Sequence, residues 1–439
     1  MALQLWHARA SRCEKRWQEQ GKAGLYGLDT NGIHDVKALF VHQNCPGQFR
    51  HLAPALAAEG HEVVFIGQKN KPTPAGVKRL EYEPHRKVTP KIHPYLAGTE
   101  AAILNGQAVA RMGFALREKG FKPDVMIGNP GWGETLFLKD VWPESPLISL
   151  SEFYYSGRGA DVGFDPEFDS GPDAVLRARA RSSQHILAIE AADLAYSPTK
   201  WQRAQFPTVY HDKIRVIHDG IDVERVRPDP AATFTLPDGR GLTCADEVLT
   251  YVSRNLEPYR GFHSFMRALP GILERRPDAQ IVIVGGDEVS YGGRPKEGSW
   301  RDVMLKEVGP LPERVHFTGR IPYADYLSLL QVSSVHLYLT YPFVLSWSML
   351  EAMAAGAFVV GSSTAPVEEV IEDGRNGWLV DFFDTGAMAA RVADALAARK
   401  DVGDLRKAAR QTVVDRYALA DCMAAQRALI DEAVALFPK

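Results

Sequence analysis

Residues 335–361 read VHLYLTYPFVLSWSMLEAMAAGAFVVG, and this run constrains the fold more than any other part of the chain. An apolar strand from Val335 to Thr340 leads into a turn carrying Tyr341, Pro342 and Phe343. A helix then begins near Ser346 and stops at Gly356, and a second apolar strand, Ala357 to Gly361, follows at once. Strand, helix and strand at that spacing form a βαβ unit, hence a parallel sheet. Ligands bind in the crevice beyond the carboxyl ends of such strands. One carboxylate, Glu351, stands in the first turns of the helix among apolar neighbours, and a free helix start offers backbone N–H groups to an anion. Two plainer readings compete. Ser348 and Glu351 have the spacing of a capping box, and the whole stretch is long and apolar enough to suggest a membrane span. Pro342, Glu351 and Gly356 interrupt such a span, and no basic cluster anchors it.

With 439 residues the chain exceeds one ordinary core, so two domains are expected. Its 45% apolar and 24% charged residues are those of a soluble globular protein. A formal net charge of −3 offers no general attraction for nucleic acid. Cys13, Cys45, Cys244 and Cys422 lie far apart, which fits a reducing cytosol and argues against structural zinc. The first residues are too charged for a signal peptide, and residues 1–34 are read as an extension without assigned function.

From Val36 the chain alternates strands and helices. VKALFV is a buried strand, Pro46 and Gly47 make a tight turn, and Gln48 to Ala58 is patterned as a helix before the strand Glu62 to Ile66. No G-x-G-x-x-G is present, so Gly47 on its own reads as a turn residue. Lys69, Lys71, Lys78, Arg79, Arg86, Lys87 and Lys91 face only Glu81 and Glu83 in a segment read as solvated surface or, alternatively, as a patch resting on anionic lipid. The strand Asp124 to Gly128 exits into NPGWGET, whose two glycines around Trp132 let backbone approach a ligand. The strand Leu147 to Leu150 exits into SEFYYSGR, where Glu152, Tyr154 and Tyr155 either line an acceptor pocket or pack a domain surface. A single helix is expected over Pro172 to Ala192, and strands at Asp193 to Ser197 and Ile214 to Ile217. Between Asp222 and Asp246 proline, glycine and acid predict an interdomain linker. A second series of βα units follows, opening with the strand Val248 to Val252.

Arg254 and Arg260 bracket the loop after that strand, and loops after neighbouring parallel strands converge on one sheet edge. Two fixed cations beside a helix start suit a diphosphate. The plainer alternative pairs both arginines with Glu257 and Asp287 at the surface, where such pairs contribute little.

VSRNLEPYRGF, IVIVGGDE, VHFTGR, the 335–361 run and EEVIEDGRNGWLV together resemble the donor domain of glycosyltransferase family 4, retaining enzymes of the GT-B fold. VIHDGID is similar to the segment leading into that domain, and FVHQNCPGQFRHL to the glycine loop of the acceptor domain. The resemblance covers roughly residues 36 to 435 and is stronger in the second half. It implies an α/β chain of two Rossmann-like domains facing each other across a cleft. The expected divisions are 35–221 for the acceptor side, 222–246 for the linker, 247–419 for the donor domain, and 420–439 for a helix crossing back to the first domain.

The activity implied is transfer of a sugar from a nucleotide-diphosphate donor to a glycan or lipid-linked hydroxyl acceptor, in polysaccharide or glycolipid synthesis. Arg254 takes the arginine position of the diphosphate pair, Arg260 the lysine position, and Glu351 that of the ribose-binding glutamate. Arg254, Arg260 and Asn129 are the catalytic candidates. Glu351, Ser346, Phe343, Leu350, Gly47 and Arg320 are the donor-binding ones, and Trp132, Glu152 and Tyr154 the acceptor-side ones.

Two positions depart from the family pattern. Phe343 stands where a glutamate touches the donor sugar, so backbone from Val344 to Ser346 and the Ser346 hydroxyl are candidates to hold the sugar instead. Asn129 stands where many relatives place a histidine, and an amide is no base at neutral pH. No cofactor and no metal are expected, since neither a D-x-D pair nor an H-E-x-x-H spacing is present. A cytoplasmic location with peripheral membrane contact is the expectation. The departures keep two other functions open: a non-catalytic sugar-nucleotide binder or scaffold, and an epimerase of the same architecture.

Overall fold

The structure is a computed structural model that describes residues 36–69, 72–168 and 171–437. The N-terminal extension, with Cys13, and Lys71 of the basic segment lie outside the described residues.

The first half is a seven-stranded sheet in the order β3-β2-β1-β4-β5-β6-β7. Its strands are β1 (Lys37–Val41), β2 (Glu62–Gln68), β3 (Lys78–Tyr82), β4 (Val125–Gly128), β5 (Leu147–Leu150), β6 (Leu194–Ser197) and β7 (Ile214–Val216). Every pairing is parallel, beginning with Lys37 opposite Glu62 and Ala38 opposite Val125. β4, β5 and β6 are buried along their whole length, as strands covered by helices on both faces must be. β3 (KRLEY) lay hidden in the basic segment. An edge strand carries charge to discourage pairing with another chain, so it shows no apolar run.

A short antiparallel hairpin comes next, β8 (Thr233–Thr235) against β9 (Gly241–Thr243). Phe234, Leu236 and Leu242 pack with Val248, Val282 and Leu329 in one apolar cluster. The segment expected to be a linker is therefore built into the core of the second half. Its strands are too short, and its turn too rich in proline and glycine, to register as strands in sequence.

The second sheet runs β12-β11-β10-β13-β14-β15. Its members are β10 (Val248–Asn255), β11 (Gln280–Gly286), β12 (Val315–Gly319), β13 (Val335–Tyr338), β14 (Phe358–Ser362) and β15 (Trp378–Val380), all parallel. Between β13 and β14 the helix Trp347–Ala355 starts on Ser346, whose side chain accepts from the Ser348 N–H at 3.3 Å. It ends at Gly356 in a left-handed conformation (φ 88°). The helix expected over Pro172 to Ala192 breaks at Ser182, whose hydroxyl donates to the Tyr155 carbonyl at 2.6 Å.

Two crossings join the halves. Ile221 and Ala418 run side by side, with Ile221 N–H donating to Tyr417 O at 2.7 Å and Leu419 N–H to Ile221 O at 2.8 Å. The last helix, Leu419–Leu436, then lies against β4 and β5 of the first sheet. Residues after β5 supply a further tie. Phe153 and Ala160 join the second half's apolar core, Asp165 takes hydrogen bonds from His263 (2.9 Å) and Tyr341 (2.6 Å), and Asp161 takes one from Tyr259 (2.7 Å).

Candidate active site

In each sheet the strand order reverses beside the first strand, between β1 and β4 and between β10 and β13. A ligand crevice opens at such a point. Here the two crevices share one cavity of about 960 Å³. The exits of β1, β4 and β5 contribute Gly47, Asn129 and Glu152, and the exits of β10 and β13 contribute Arg254 and the segment from Phe343 to Ser348. Trp132, Arg260, Arg320 and Glu351 also line it, so ten of the twelve candidate residues meet in one place. Leu350 and Tyr154 do not. Leu350 is fully buried in the core beneath Glu351, and Tyr154 turns its ring against Phe206, at 5.5 Å. Its neighbour Tyr155 reaches the cavity instead.

Arg260 is 8% exposed, yet no carboxylate lies within ion-pair distance among the described residues. Its guanidinium donates to Thr340 Oγ1 (2.9 Å), Val344 O (3.0 Å) and Tyr338 Oη (3.3 Å). Burial opposes the charge, while Tyr338, Tyr291 and Glu257 around it hold the pKa above its usual value. Arg254 is exposed to the cavity and forms neither an ion pair nor a hydrogen bond among the described residues. The acids proposed as surface partners are engaged elsewhere. Glu257 accepts backbone N–H groups of residues 290–292, and Asp287 pairs with Arg301 at 3.6 Å. Arg320 differs from the other two, being bound to Glu288 (2.7 Å) and Asn255 (2.8 Å).

Glu351 is not half of a capping box. Its two carboxylate oxygens accept from Tyr323 (2.8 Å) and Tyr326 (2.7 Å), leaving further lone pairs on the cavity side. Ser346 caps the helix, and its backbone N–H donates to the Tyr338 hydroxyl at 2.8 Å. Phe343 is 4% exposed and belongs to an aromatic cluster with Phe153 (4.6 Å), Tyr291 (5.0 Å) and Tyr259 (5.5 Å). Its ring contributes shape to the wall and offers no polar contact.

On the opposite wall Glu152 is held by Gln48 Nε2 at 2.6 Å and Asn129 Nδ2 at 3.2 Å. Burial lifts its carboxyl above the usual range, while hydrogen bonds from Asn129 and Gln48 and the charges of Arg254 and Arg260 pull it down. Asn129 also caps the turn of NPGWGET through Gly131 N–H, at 2.8 Å. Of the two glycines there, only Gly131 faces the cavity. Gly133 (φ 94°) is required by packing, since a Cβ would lie 2.3 Å from the Ala102 carbonyl oxygen. Gly47 lies against the His42 ring, which a Cβ would approach to 2.7 Å.

Three polar residues of this wall escaped sequence reading. Burial drives His42 and His185 down to about 4, so both rings are neutral at pH 7. Burial and the charge of Glu152 push Asp219 up to about 7, against a 3.0 Å hydrogen bond from Trp347. Their signal was positional only: His42 follows β1, and Asp219 sits in HDGID just beyond β7.

Asp165, Glu167 and His263 bring ligand-type atoms within 4.8 Å of one another. Asp165 is taken up by His263 and Tyr341, and Glu167 by Arg267 (2.6 Å), so the group ties the two halves together outside the cavity. Among the described residues, no helix is long and apolar enough to cross a membrane.

Two facing Rossmann-like sheets with a shared cleft define the GT-B fold. A sucrose-phosphate synthase from Thermosynechococcus elongatus superposes with a TM-score of 0.68 at 16% identity, over 91% of this chain and 100% of that one. The Anabaena protein HepE in complex with UDP superposes with a TM-score of 0.62 at 17% identity, over 90% and 100%. Residues 59–226 match the glycosyl transferase family 4 group, and residues 242–412 match glycosyl transferases group 1. The chain belongs to this family of glycosyl transferases.

Among curated relatives, the GDP-mannose-dependent alpha-(1-6)-phosphatidylinositol monomannoside mannosyltransferase of Mycolicibacterium smegmatis is 27% identical over 247 residues, which is 52% of this chain and 57% of that protein. The D-inositol 3-phosphate glycosyltransferase of Streptomyces scabiei is 25% identical over 239 residues, 48% of this chain and 51% of that one. The chain thus spans about half the length of the curated relatives it matches.

Proposed function

We propose that the protein transfers a sugar, with retention, from a nucleotide-diphosphate donor to a hydroxyl of a glycan or lipid-linked acceptor. The observation that carries this reading is the arginine pair without acidic partners at the β10 exit, facing the amino end of the Trp347–Ala355 helix. Two guanidiniums and a helix start form a diphosphate site, and Glu351 lies in position for ribose hydroxyls. The anomeric C–O bond to phosphate breaks, and the acceptor oxygen bonds on the same face of the sugar. The acceptor's proton passes to the departing phosphate oxygen. Charge grows on that group as the bond opens, and cations already in place favour the transition state over the ground state. The reading assigns this role to the arginines and needs no metal.

The names of the curated mannosyltransferases and inositol phosphate glycosyltransferases support an acceptor used in glycolipid synthesis. Contact with an anionic lipid surface is part of the reading. It rests on Lys78, Lys87 and Lys91, which are exposed without acidic partners among the described residues, whereas Lys69, Arg79 and Arg86 are paired with Glu83, Glu81 and Glu100.

The test is release of nucleoside diphosphate from a panel of nucleotide sugars. One donor is expected to turn over, and Arg254→Ala to lower its rate by about 10²–10³-fold with the melting temperature of the free protein unchanged. Binding without turnover of any donor would favour the non-catalytic alternative, and product isomers formed without acceptor would favour an epimerase.

A further inference from the structure

Between β11 and the helix Trp300–Val308 the chain makes a loop, DEVSYGGRPKEGS, whose tip carries Tyr291. This large aromatic residue is 36% exposed and lines the cavity. Its ring is 5.0 Å from Phe343, which in turn is 4.6 Å from Phe153 of the first half, and the Arg260 guanidinium lies 5.3 Å from its centroid. Tyr291 therefore sits beside Arg260 and Phe343, where the cleft meets the first half.

The loop is not left to find this position by itself. Glu257 is fully buried and has no cationic partner within ion-pair distance among the described residues. Its carboxylate instead accepts from the backbone N–H groups of Ser290 (3.1 Å), Tyr291 (3.0 Å) and Gly292 (3.2 Å). Asn255 reinforces the same turn by donating to Ser290 Oγ at 2.7 Å. A carboxylate taken out of water is costly unless its lone pairs are filled. Here they are filled by the loop's own backbone, so the charge and the loop conformation depend on each other.

We infer that Tyr291 is the aromatic platform for the donor's glycosyl group, and that Glu257 is the positioning residue holding it there. This rests on the donor reading above. If the diphosphate lies on Arg254 and Arg260 and the nucleoside towards Glu351, the sugar falls beside Tyr291, Phe343 and Phe153. An aromatic wall meets the C–H face of a pyranose. The class of donor selected is a nucleotide-linked pyranose.

Calorimetric titration with UDP, GDP, UDP-glucose and GDP-mannose tests this on the full chain, comparing wild type with Tyr291→Ala, Tyr291→Phe and Glu257→Gln. For the nucleotide the wild type prefers, the ratio of the sugar conjugate's Kd to that of the parent diphosphate should rise about fivefold in Tyr291→Ala, with diphosphate affinity within about twofold of wild type. Tyr291→Phe should keep the wild-type ratio. Glu257→Gln should raise the ratio in the same direction and raise the donor's KM more than it lowers kcat, an effect that a merely structural role would not confine to the conjugate. An unchanged ratio in Tyr291→Ala, or an equal loss in Tyr291→Phe, overturns the platform while leaving the diphosphate site standing. No binding of either diphosphate to wild type overturns both.

Discussion

Glu351 and Glu134 are both buried carboxylates, and their surroundings separate them. Each oxygen of Glu351 accepts a tyrosine hydroxyl. Glu134 accepts one from Tyr82 through Oε1 (2.5 Å) and leaves Oε2 buried without a partner. Burial pushes Glu134 up to about 7, against the Tyr82 hydrogen bond. A carboxyl raised on folding is protonated in the native state while the unfolded chain has already ionised. Its stabilisation is therefore present at low pH and is lost as pH rises towards 7. Relative to Glu134→Gln, which keeps the Tyr82 contact and cannot ionise, wild type should lose roughly 2.5 kcal/mol of stability between about pH 5 and pH 8. Urea denaturation of both proteins at the two pH values measures this, and parallel curves would contradict it. Glu351 was legible as the lone acid in an apolar run. Glu134 was not, because NPGWGET reads as a ligand loop through its glycines and nothing in it reveals that Tyr82, 52 residues earlier, closes over the side chain.

At the scale of elements, legibility followed burial. Strands enclosed by helices appear as apolar runs, and β5 falls on Leu147–Leu150 as expected. The edge strand β7 was read, but β3 and the elements at joints were lost, for a different reason in each case. β3 carries the charge an edge requires, β8 and β9 are three residues each, and the break at Ser182 depends on a hydrogen bond from elsewhere in the chain. Within the site, Asn129, Glu152 and Arg254 at strand ends were found, since their place follows from topology, while His42 and Asp219 beyond other strands were missed. Tyr291 was missed because its position is set by a loop anchored through Glu257. The hairpin gives the sharpest contrast between linker and core. Phe234 is 5% exposed and packed among second-half residues, so Phe234→Ala should cost about 3 kcal/mol or more. A flexible linker would show almost no change in the same denaturation experiment.

For the whole molecule, the two sheets are tied by the crossing at Ile221 and Ala418, by the last helix and by the segment carrying Phe153, Asp161 and Asp165. These ties hold Glu152 and Asn129 of one half opposite Arg254 and Arg260 of the other across a single cavity. The sequence implied two facing domains, but not that residues following β5 would enter the partner's core. Aromatic residues such as Phe153 and Phe164 read alike as pocket lining and as packing until their neighbours are known. The central claim is that Arg254 and Arg260 of the second half, which have no acidic partner among the described residues, receive a nucleoside diphosphate. Its most direct test is the melting temperature of wild type and Arg254→Ala titrated with UDP and GDP. One nucleotide should raise the melting point of wild type, by an amount equivalent to about 2.7 kcal/mol at a hundredfold excess over Kd, and Arg254→Ala should lose most of that rise. An equal rise in both proteins would contradict the account.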